Sequence, residues 1–394
     1  MKILALRMWL PVLIFALAST ATPARSQPIT IAFDGGFSVK TNTAPQAIAL
    51  GMQIAIDEIN ASGGVLGGRL LTIKTTDNHG LATRARDNFE LLSNDQSVIA
   101  VFGGKFSPTI IETMELADRL NLLSISVWGS ADQITDSNPV NPFVFRLSLK
   151  DEWAISAMLR HAKLRYKAAR VCTILPNTAW GRSGDWAIRR DAPKFSIEVV
   201  AQRWYNWGEK SFAPVYQRCL EQNADAIILI GNEQEGSLLV EALSEVSRSK
   251  RLPVVSHWGV TGGTLQGLIN NGVTDMQFDI IQTFTFISNS RPRAVMLSQG
   301  AMKHLQIASS KQIPSPVGVA QGYDMVHLLA LAINQAKSTD RTKIRDALEN
   351  LPPFSGAIRD YDPAFSKARH DALSADQVLF VRINAAGELI PLEK

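Results

Sequence analysis

From residue 29 onward, short apolar β-branched runs alternate with segments whose apolar residues recur every three to four positions, the pattern of successive parallel βαβ units. Residues 29–33 read as a strand ending in Asp34-Gly35-Gly36. The helix behind it sets Ile48, Met52, Ala55, Ile56 and Ile59 on one face and Gln53, Asp57, Glu58 and Asn60 on the other. It stops at Ser62-Gly63-Gly64, because glycine adopts the left-handed conformation that closes a helix. The alternation predicts a strand over 70–75, a helix over 83–94, a strand over 98–102, a helix over 108–120 and strands over 122–127 and 143–147. A second series follows: helices over 152–162, 183–191, 212–222 and 235–247 interleave with strands over 171–175, 196–201, 226–230 and 253–256. Beyond it lie a Gly/Asn-rich stretch, a strand-like run over 278–286, helices over 293–305, 322–337 and 341–351, and a strand over 377–383. Two α/β series are laid end to end, with no short-period repeat that would indicate a solenoid.

Before this pattern begins, Lys2 and Arg7 precede an apolar run over 8–18, and small residues follow it. A cationic start, a short apolar core and small residues read as a secretory signal peptide over 1–26, too short for a stable membrane anchor. No Cys follows the run, so the expected product is exported to the periplasm without a lipid anchor or membrane insertion. The formal charge of +4 changes meaning once the leader is set aside, since removing Lys2, Arg7 and Arg25 leaves 37 basic against 36 acidic residues. The basic residues form no block and no aromatic stripe runs among them, so no nucleic-acid partner is indicated. Cys172 falls in a strand-like run and Cys219 on a helical stretch. Export permits a disulfide, but strand and helix positions seldom meet its geometry, and the residues read as two buried thiols.

Catalytic motifs are absent from the sequence. There is no GxSxG elbow, HExxH pair, Walker loop or GxGxxG after a strand. The six histidines have no i, i+3 or i+4 partner among themselves, and although Arg369-His370-Asp371 suggests an acid/base pair, neighbouring residues on a loop rarely face each other. What stands out is two hydroxyl-bearing turns where a strand feeds a helix. In Phe102-Gly-Gly-Lys-Phe-Ser107-Pro108, Ser107 suits a helix N-cap and Pro108 the first helical position, leaving free N–H groups for a carboxylate. In Val127-Trp-Gly-Ser130-Ala-Asp-Gln133, Ser130 and Gln133 have capping-box spacing. Both turns sit at strand carboxyl ends, where open α/β sheets bind ligands.

The run Ile54-Ala-Ile-Asp-Glu-Ile-Asn-Ala-Ser-Gly-Gly-Val-Leu-Gly-Gly-Arg69 closely resembles the first helix and turn of type I periplasmic binding proteins, the branched-chain amino acid receptor class of ABC importers. Asp77, the Gly103 and Ser107 turn, Phe145-Arg146 with Asp151, Trp180-Gly181 and the glycines of 259–263 fit further family positions, so the likeness spans 29–390. It implies an α/β fold of two doubly wound Rossmann-like lobes joined by three crossover strands, one lobe from 27–147 with 283–338 and the other from 148–282 with 339–394. It also implies a hinged cleft that closes on a small-molecule ligand, with no catalysis and no cofactor or metal, and permease subunits of the inner membrane as partners.

Carried across residue by residue, the resemblance assigns Ser107, Ser130, Asp151, Trp128, Trp180 and Trp258 to the ligand. Ser130 stands where many members have Thr, and Trp180 replaces a Tyr. At His257-Trp258-Gly259 the amino-acid receptors have Glu before the Gly, where it receives an ammonium; Trp258 carries no charge, and an ammonium buried there alone costs several kcal/mol. Asp151 can still supply charge. Otherwise the three tryptophans form an apolar cage suited to an aromatic acid or, through cation–π attraction, an alkylated amine. The cysteine pair that some relatives carry near the cleft is replaced by Gly80 and Phe106. Two roles fit: an importer's binding protein for a carboxylate-bearing, aromatic or amino-acid-like ligand, or a sensor of the same fold that docks on a membrane receptor or histidine kinase.

Overall fold

Two sheets, each grown from its own stretch of chain, carry the alternation. The computed structural model describes residues 27–393 apart from Asn138, so the expected leader at 1–26 lies outside the described residues. Strands β1 (Ile29–Gly35), β2 (Leu71–Asp77), β3 (Val98–Gly103), β4 (Leu123–Ser126) and β5 (Val144–Arg146) form a parallel sheet in the order β2-β1-β3-β4-β5. The second sheet takes β6 (Arg170–Pro176), β7 (Glu198–Tyr205), β8 (Ala226–Leu229), β9 (Val254–Ser256) and β10 (Phe278–Gln282). A short antiparallel pair, β11 (Phe354–Ser355) and β12 (Asp360–Tyr361), stands apart. Strands β13 (Leu379–Ile383) and β14 (Leu389–Pro391) complete the second sheet, in the order β14-β13-β10-β9-β8-β6-β7, and pair antiparallel at its edge. In both sheets the order reverses beside the first strand, β2-β1-β3 and β7-β6-β8, which opens a crevice at the strand carboxyl ends.

The helix Pro316–Ala336 is apolar on nearly every side because it is buried on nearly every side. It lies along Ala44–Ala61, and glycine permits the contact: a Cβ on Gly51 would stand 1.9 Å from the carbonyl oxygen of Val319. This helix starts earlier than its periodicity predicts because Pro316 supplies a ready first turn. The helix expected over 108–120 breaks into Ser107–Ile111 and Met114–Arg119, where the Thr113 hydroxyl donates back to the carbonyl of Ile110 at 2.8 Å.

Packing corrects the expected lobe boundary at 339. The helix Arg341–Leu348 buries Ile344, Ala347 and Leu348 against the first lobe, and Arg341 donates to the carbonyls of Ser93, Asp95 and Val98. Farther on, buried Asp324 accepts from the amides of Ala357 and Ile358 and from the Tyr361 hydroxyl. Fully buried Arg146 of β5 pairs with Asp371 at 2.7 Å. The chain thus stays on the first lobe through about residue 373 and returns to the second only at β13. Periodicity identified the helix but carried no information about which sheet its apolar face would cover. The cysteines also differ from expectation: Cys172 of β6 and Cys219 of the helix Ala213–Glu221 are disulfide-bonded, with Cα atoms 5.5 Å apart.

Candidate ligand site between the lobes

The lobes meet through the loops that leave their strands. Gly262 of the second lobe points its carbonyl at the start of the helix Ala44–Ala61 in the first, accepting from the amides of Thr43 and Ala44 at 3.0 Å each. Two of the four N–H groups that a helix leaves without internal partners are satisfied across the cleft. The Thr264 amide donates to the carbonyl of Thr41 at 3.0 Å, and the Ser315 hydroxyl to that of Thr261 at 2.9 Å. Beside them the Lys105 ammonium forms a buried ion pair with Glu233, whose other oxygen accepts from the Thr41 hydroxyl at 2.9 Å. On the outer margin Phe106 packs against Trp207, ring centres 5.4 Å apart.

Inside this clasp the six residues assigned to a ligand are all buried. Ser107 and Ser130 do not act as the caps that their spacing suggests. Phe106 takes the cap position and Ser107 is the first residue of a single-turn helix, while its hydroxyl oxygen accepts from the amides of Ser130 and Ala131 at 3.2 Å each. Ser107 thus occupies two backbone donors of the Ser130 turn. The Ser130 hydroxyl turns toward the second lobe, 3.5 Å from His257 Nε2. The tryptophans have different immediate neighbours. Trp128 lies over Gly262 and Gly318, where an added Cβ would come within 2.9 Å of its ring, whereas Trp180 and Trp258 gather around His257.

His257 organises the centre, although in the sequence it is marked only as a neighbour of Trp258. The ring of Trp258 lies 3.8 Å from the imidazole and that of Trp180 meets it edge-on at 5.1 Å. Nδ1 accepts from the Gly259 amide at 3.3 Å, so the proton of a neutral ring sits on Nε2, which faces Ser130 and Asp151. Asp151, at the start of the helix Asp151–Tyr166, has no exposed surface. Its Oδ1 is 3.3 Å from His257 Nε2 but off the hydrogen-bonding line, and neither carboxylate oxygen has a hydrogen-bond partner.

Asp132 is a second residue that sequence reasoning missed. Its Oδ1 accepts from the Glu152 amide at 3.0 Å, capping the same helix, while Oδ2 is unpartnered. Burial and then the neighbouring charge of Asp151 push its carboxyl up to about 7, against relief from the Glu152 amide and Arg146. The Arg146 guanidinium is committed to Asp371, Thr135 and the carbonyls of Ser130 and Ala131. Nothing in the local sequence marked Asp132, Lys105 or Glu233, because each acquires its role from a partner on a distant segment.

The sequence profile of the periplasmic binding protein family matches residues 28–388. Among curated proteins, the chain is 22% identical over 313 residues to the Leu/Ile/Val-binding protein BraC3 of Rhizobium johnstonii, covering 78% of this chain and 80% of that one. An amino acid binding protein of Pseudomonas aeruginosa is 22% identical over 77% of each chain. In fold it is similar to the branched-chain amino acid transporter substrate-binding protein LivJ of Streptococcus pneumoniae, solved with isoleucine, at a TM-score of 0.77, 20% identity and coverage of 93% and 100% of the two chains. A solute-binding protein of Rhodopseudomonas palustris, solved with 3,4-dihydroxybenzoic acid, aligns at a TM-score of 0.75 and 14% identity over 93% and 96%. Two doubly wound lobes meeting at their strand ends, together with a profile match over nearly the whole described chain, identify the protein as a member of the periplasmic binding protein family.

Proposed function

We propose that this protein is the substrate-binding component of an ABC importer, acting in the periplasm. It encloses a small amino-acid-like or aromatic ligand between its lobes and delivers it unaltered to inner-membrane permease subunits. The observation that carries this reading is the burial of Ser130 of one lobe with Asp151, Trp180, His257 and Trp258 of the other in one cluster at the interlobe boundary. Relatives that bind leucine, isoleucine and valine, and a neighbour of the same fold that holds a dihydroxybenzoate, bracket the ligand's size. The Cys172–Cys219 bond suits an oxidising compartment.

Closure is the transducing step. A ligand favours the closed form only through contacts that the open form lacks, and residues drawn from two lobes supply such contacts by construction. A thermal-shift screen of the mature protein against amino acids, aromatic carboxylates, short aliphatic acids and amines tests the proposal, followed by small-angle scattering with each hit. A binder raises the melting temperature and reduces the radius of gyration. A ligand that stabilises the protein without compacting it would refute closure, and turnover of a bound compound would refute release of the ligand unaltered.

A further inference from the structure

We propose that the second lobe carries a further binding site, apart from the interlobe cluster, for a single aliphatic chain that ends in a carboxylate. The chain lies in an apolar groove beside the helix Asp151–Tyr166, and the carboxylate is held by Arg160 and Arg165. The groove has a volume of about 910 Å³. That helix forms one wall, residues of β13, β14 and the segment after them form the other, and Thr285, Ile287 and Ser288 of the crossover after β10 also line it. None of the residues gathered around His257 contributes to it.

The helix has two apolar stripes. Ala154, Ile155, Met158, Leu159 and Ala162 make the one that is buried in the core. At 3.6 residues per turn, Ala157, His161 and Leu164 make a second, which lines the groove, with Arg160 to one side of it and Arg165 to the other. Val378, Phe380, Ile390 and Leu392 line the groove as well. His161 serves as wall: its Nε2 is bonded to buried Asp279 at 2.7 Å, and its ring stacks on Phe380 at 3.8 Å. Leu164 stays 63% exposed beside these apolar neighbours, so the groove is open to an occupant. Charge selects that occupant. Arg160 and Arg165 form no ion pair or side-chain hydrogen bond among the described residues. Of the two acids in the lining, Asp376 is engaged by the Ser374 hydroxyl and by Arg359 at 3.5 Å, and exposed Glu393 pairs with neither arginine. Two free guanidiniums flanking an apolar stripe match an anion with an apolar tail, because a guanidinium donates to a carboxylate through two parallel bonds. The stripe from Ala157 to Arg165 runs about 12 Å at 1.5 Å per residue, the length of an extended chain of about ten carbons.

Calorimetry of the mature protein with hexanoate, octanoate, decanoate and dodecanoate, each below its micelle concentration, tests the site, with octan-1-ol and octylamine as matched probes. Affinity should rise about fourfold with each added methylene as far as about decanoate and level off beyond it. Octanoate should bind at least tenfold more tightly than the alcohol or the amine. Arg160→Gln combined with Arg165→Gln should weaken octanoate at least tenfold and leave octan-1-ol within twofold, whereas Leu164→Ser should weaken both at least threefold. All three side chains are exposed, so the variants should melt with the wild type when no probe is present. No binding of the acids, an affinity that ignores chain length, or octanoate binding that survives both variants would overturn the proposal. So would binding to phosphatidylglycerol vesicles without binding to octanoate, which would assign the groove to a membrane surface. A dimer in sedimentation that Leu164→Ser dissolves would assign it to a second copy of the chain and overturn the proposal equally.

Discussion

Gly262→Ala is the sharpest probe of closure, because the three atoms nearest to the new methyl group all belong to the other lobe. A Cβ at Gly262 would stand 2.7 Å from Lys105 Cε, 2.8 Å from Lys105 Nζ and 2.9 Å from Trp128 Cζ2. Ordinary contact begins near 3.4 Å, so each atom must retreat by half an ångström or more. Lys105 is held by Glu233, and Trp128 is backed by Gly318, so neither retreats freely. The backbone itself accepts alanine, since φ is −86° and ψ 12°. Overpacking of this kind costs about 1–3 kcal/mol, and here the cost falls on the closed form alone. At about 1.4 kcal/mol per factor of ten, the closure equilibrium and the apparent ligand affinity should fall about 5- to 150-fold. Small-angle scattering of the ligand-free protein and calorimetry with a hit from the screen read both quantities. Gly318→Ala is the control, because its methyl group would meet Trp128 and Ile48 within the first lobe and should lower the melting temperature rather than open the cleft. A Gly262→Ala protein that is folded, scatters like wild type and binds within twofold of it would refute the assignment of this contact to closure.

Three further outcomes follow from the same contacts. Glu233→Gln leaves the Lys105 ammonium buried without its counter-ion, so opening, which rehydrates it, should be favoured; a larger radius of gyration in the variant reads this, and an unchanged one counts against the clasp. The carboxyl of Asp132, raised to about 7 in the folded protein from 3.8, holds a proton that the unfolded chain releases, so its contribution favours folding below pH 4 and is lost progressively as the pH climbs toward 7. Wild type should therefore lose stability relative to Asp132→Asn between pH 4.5 and 7.5, by on the order of a few kcal/mol, because each tenfold difference in proton affinity between the folded and unfolded chain is worth about 1.4 kcal/mol; parallel pH profiles in urea denaturation would contradict it. Replacing Cys172 and Cys219 together by alanine opens a 47-residue cross-link and should cost about 2–4 kcal/mol, read as a lower denaturation midpoint that reductant no longer changes.

Local pattern carried most of the fold, and long-range pairing carried what it missed. Apolar periodicity located β1, β3, β8 and the helices Ala82–Ser93 and Pro292–Leu305 to within a few residues, since each buries one face or is wholly buried. It could not decide that Arg341–Leu348 belongs with the first lobe, because that depends on Arg341 finding carbonyls near β3, some 240 positions earlier in the chain. The disulfide was illegible for the same reason: its geometry is created only when the fold brings Cys219 to within 5.5 Å, Cα to Cα, of Cys172.

At the site, family position brought Asp151, Trp180 and Trp258 to attention, yet the chemistry that joins them runs through His257, whose meaning in the sequence is only that of a residue before Trp258. An unmatched polar group is a property of three-dimensional surroundings and has no sequence pattern. Asp151 looks like an ordinary acidic residue at a helix start, a position where acids are common for electrostatic reasons. Its neighbours distinguish it: Asp132, whose carboxyl is pushed up by burial and by the Asp151 charge, Arg146, whose donors point elsewhere, and an imidazole that comes close without bonding. A missing glutamate before Gly259 therefore argues less against a cationic ligand than it does in isolation, because counter-charge is a property of the assembled cleft and can enter from either lobe. The comparison of Asp151→Asn with Trp258→Glu tests that reasoning directly. If charge alone decides, Trp258→Glu in the Asp151→Asn background should recover at least tenfold, in calorimetry, whatever binding of a screened amine Asp151→Asn removes, and no recovery would show that the carboxylate must come from the crossover side.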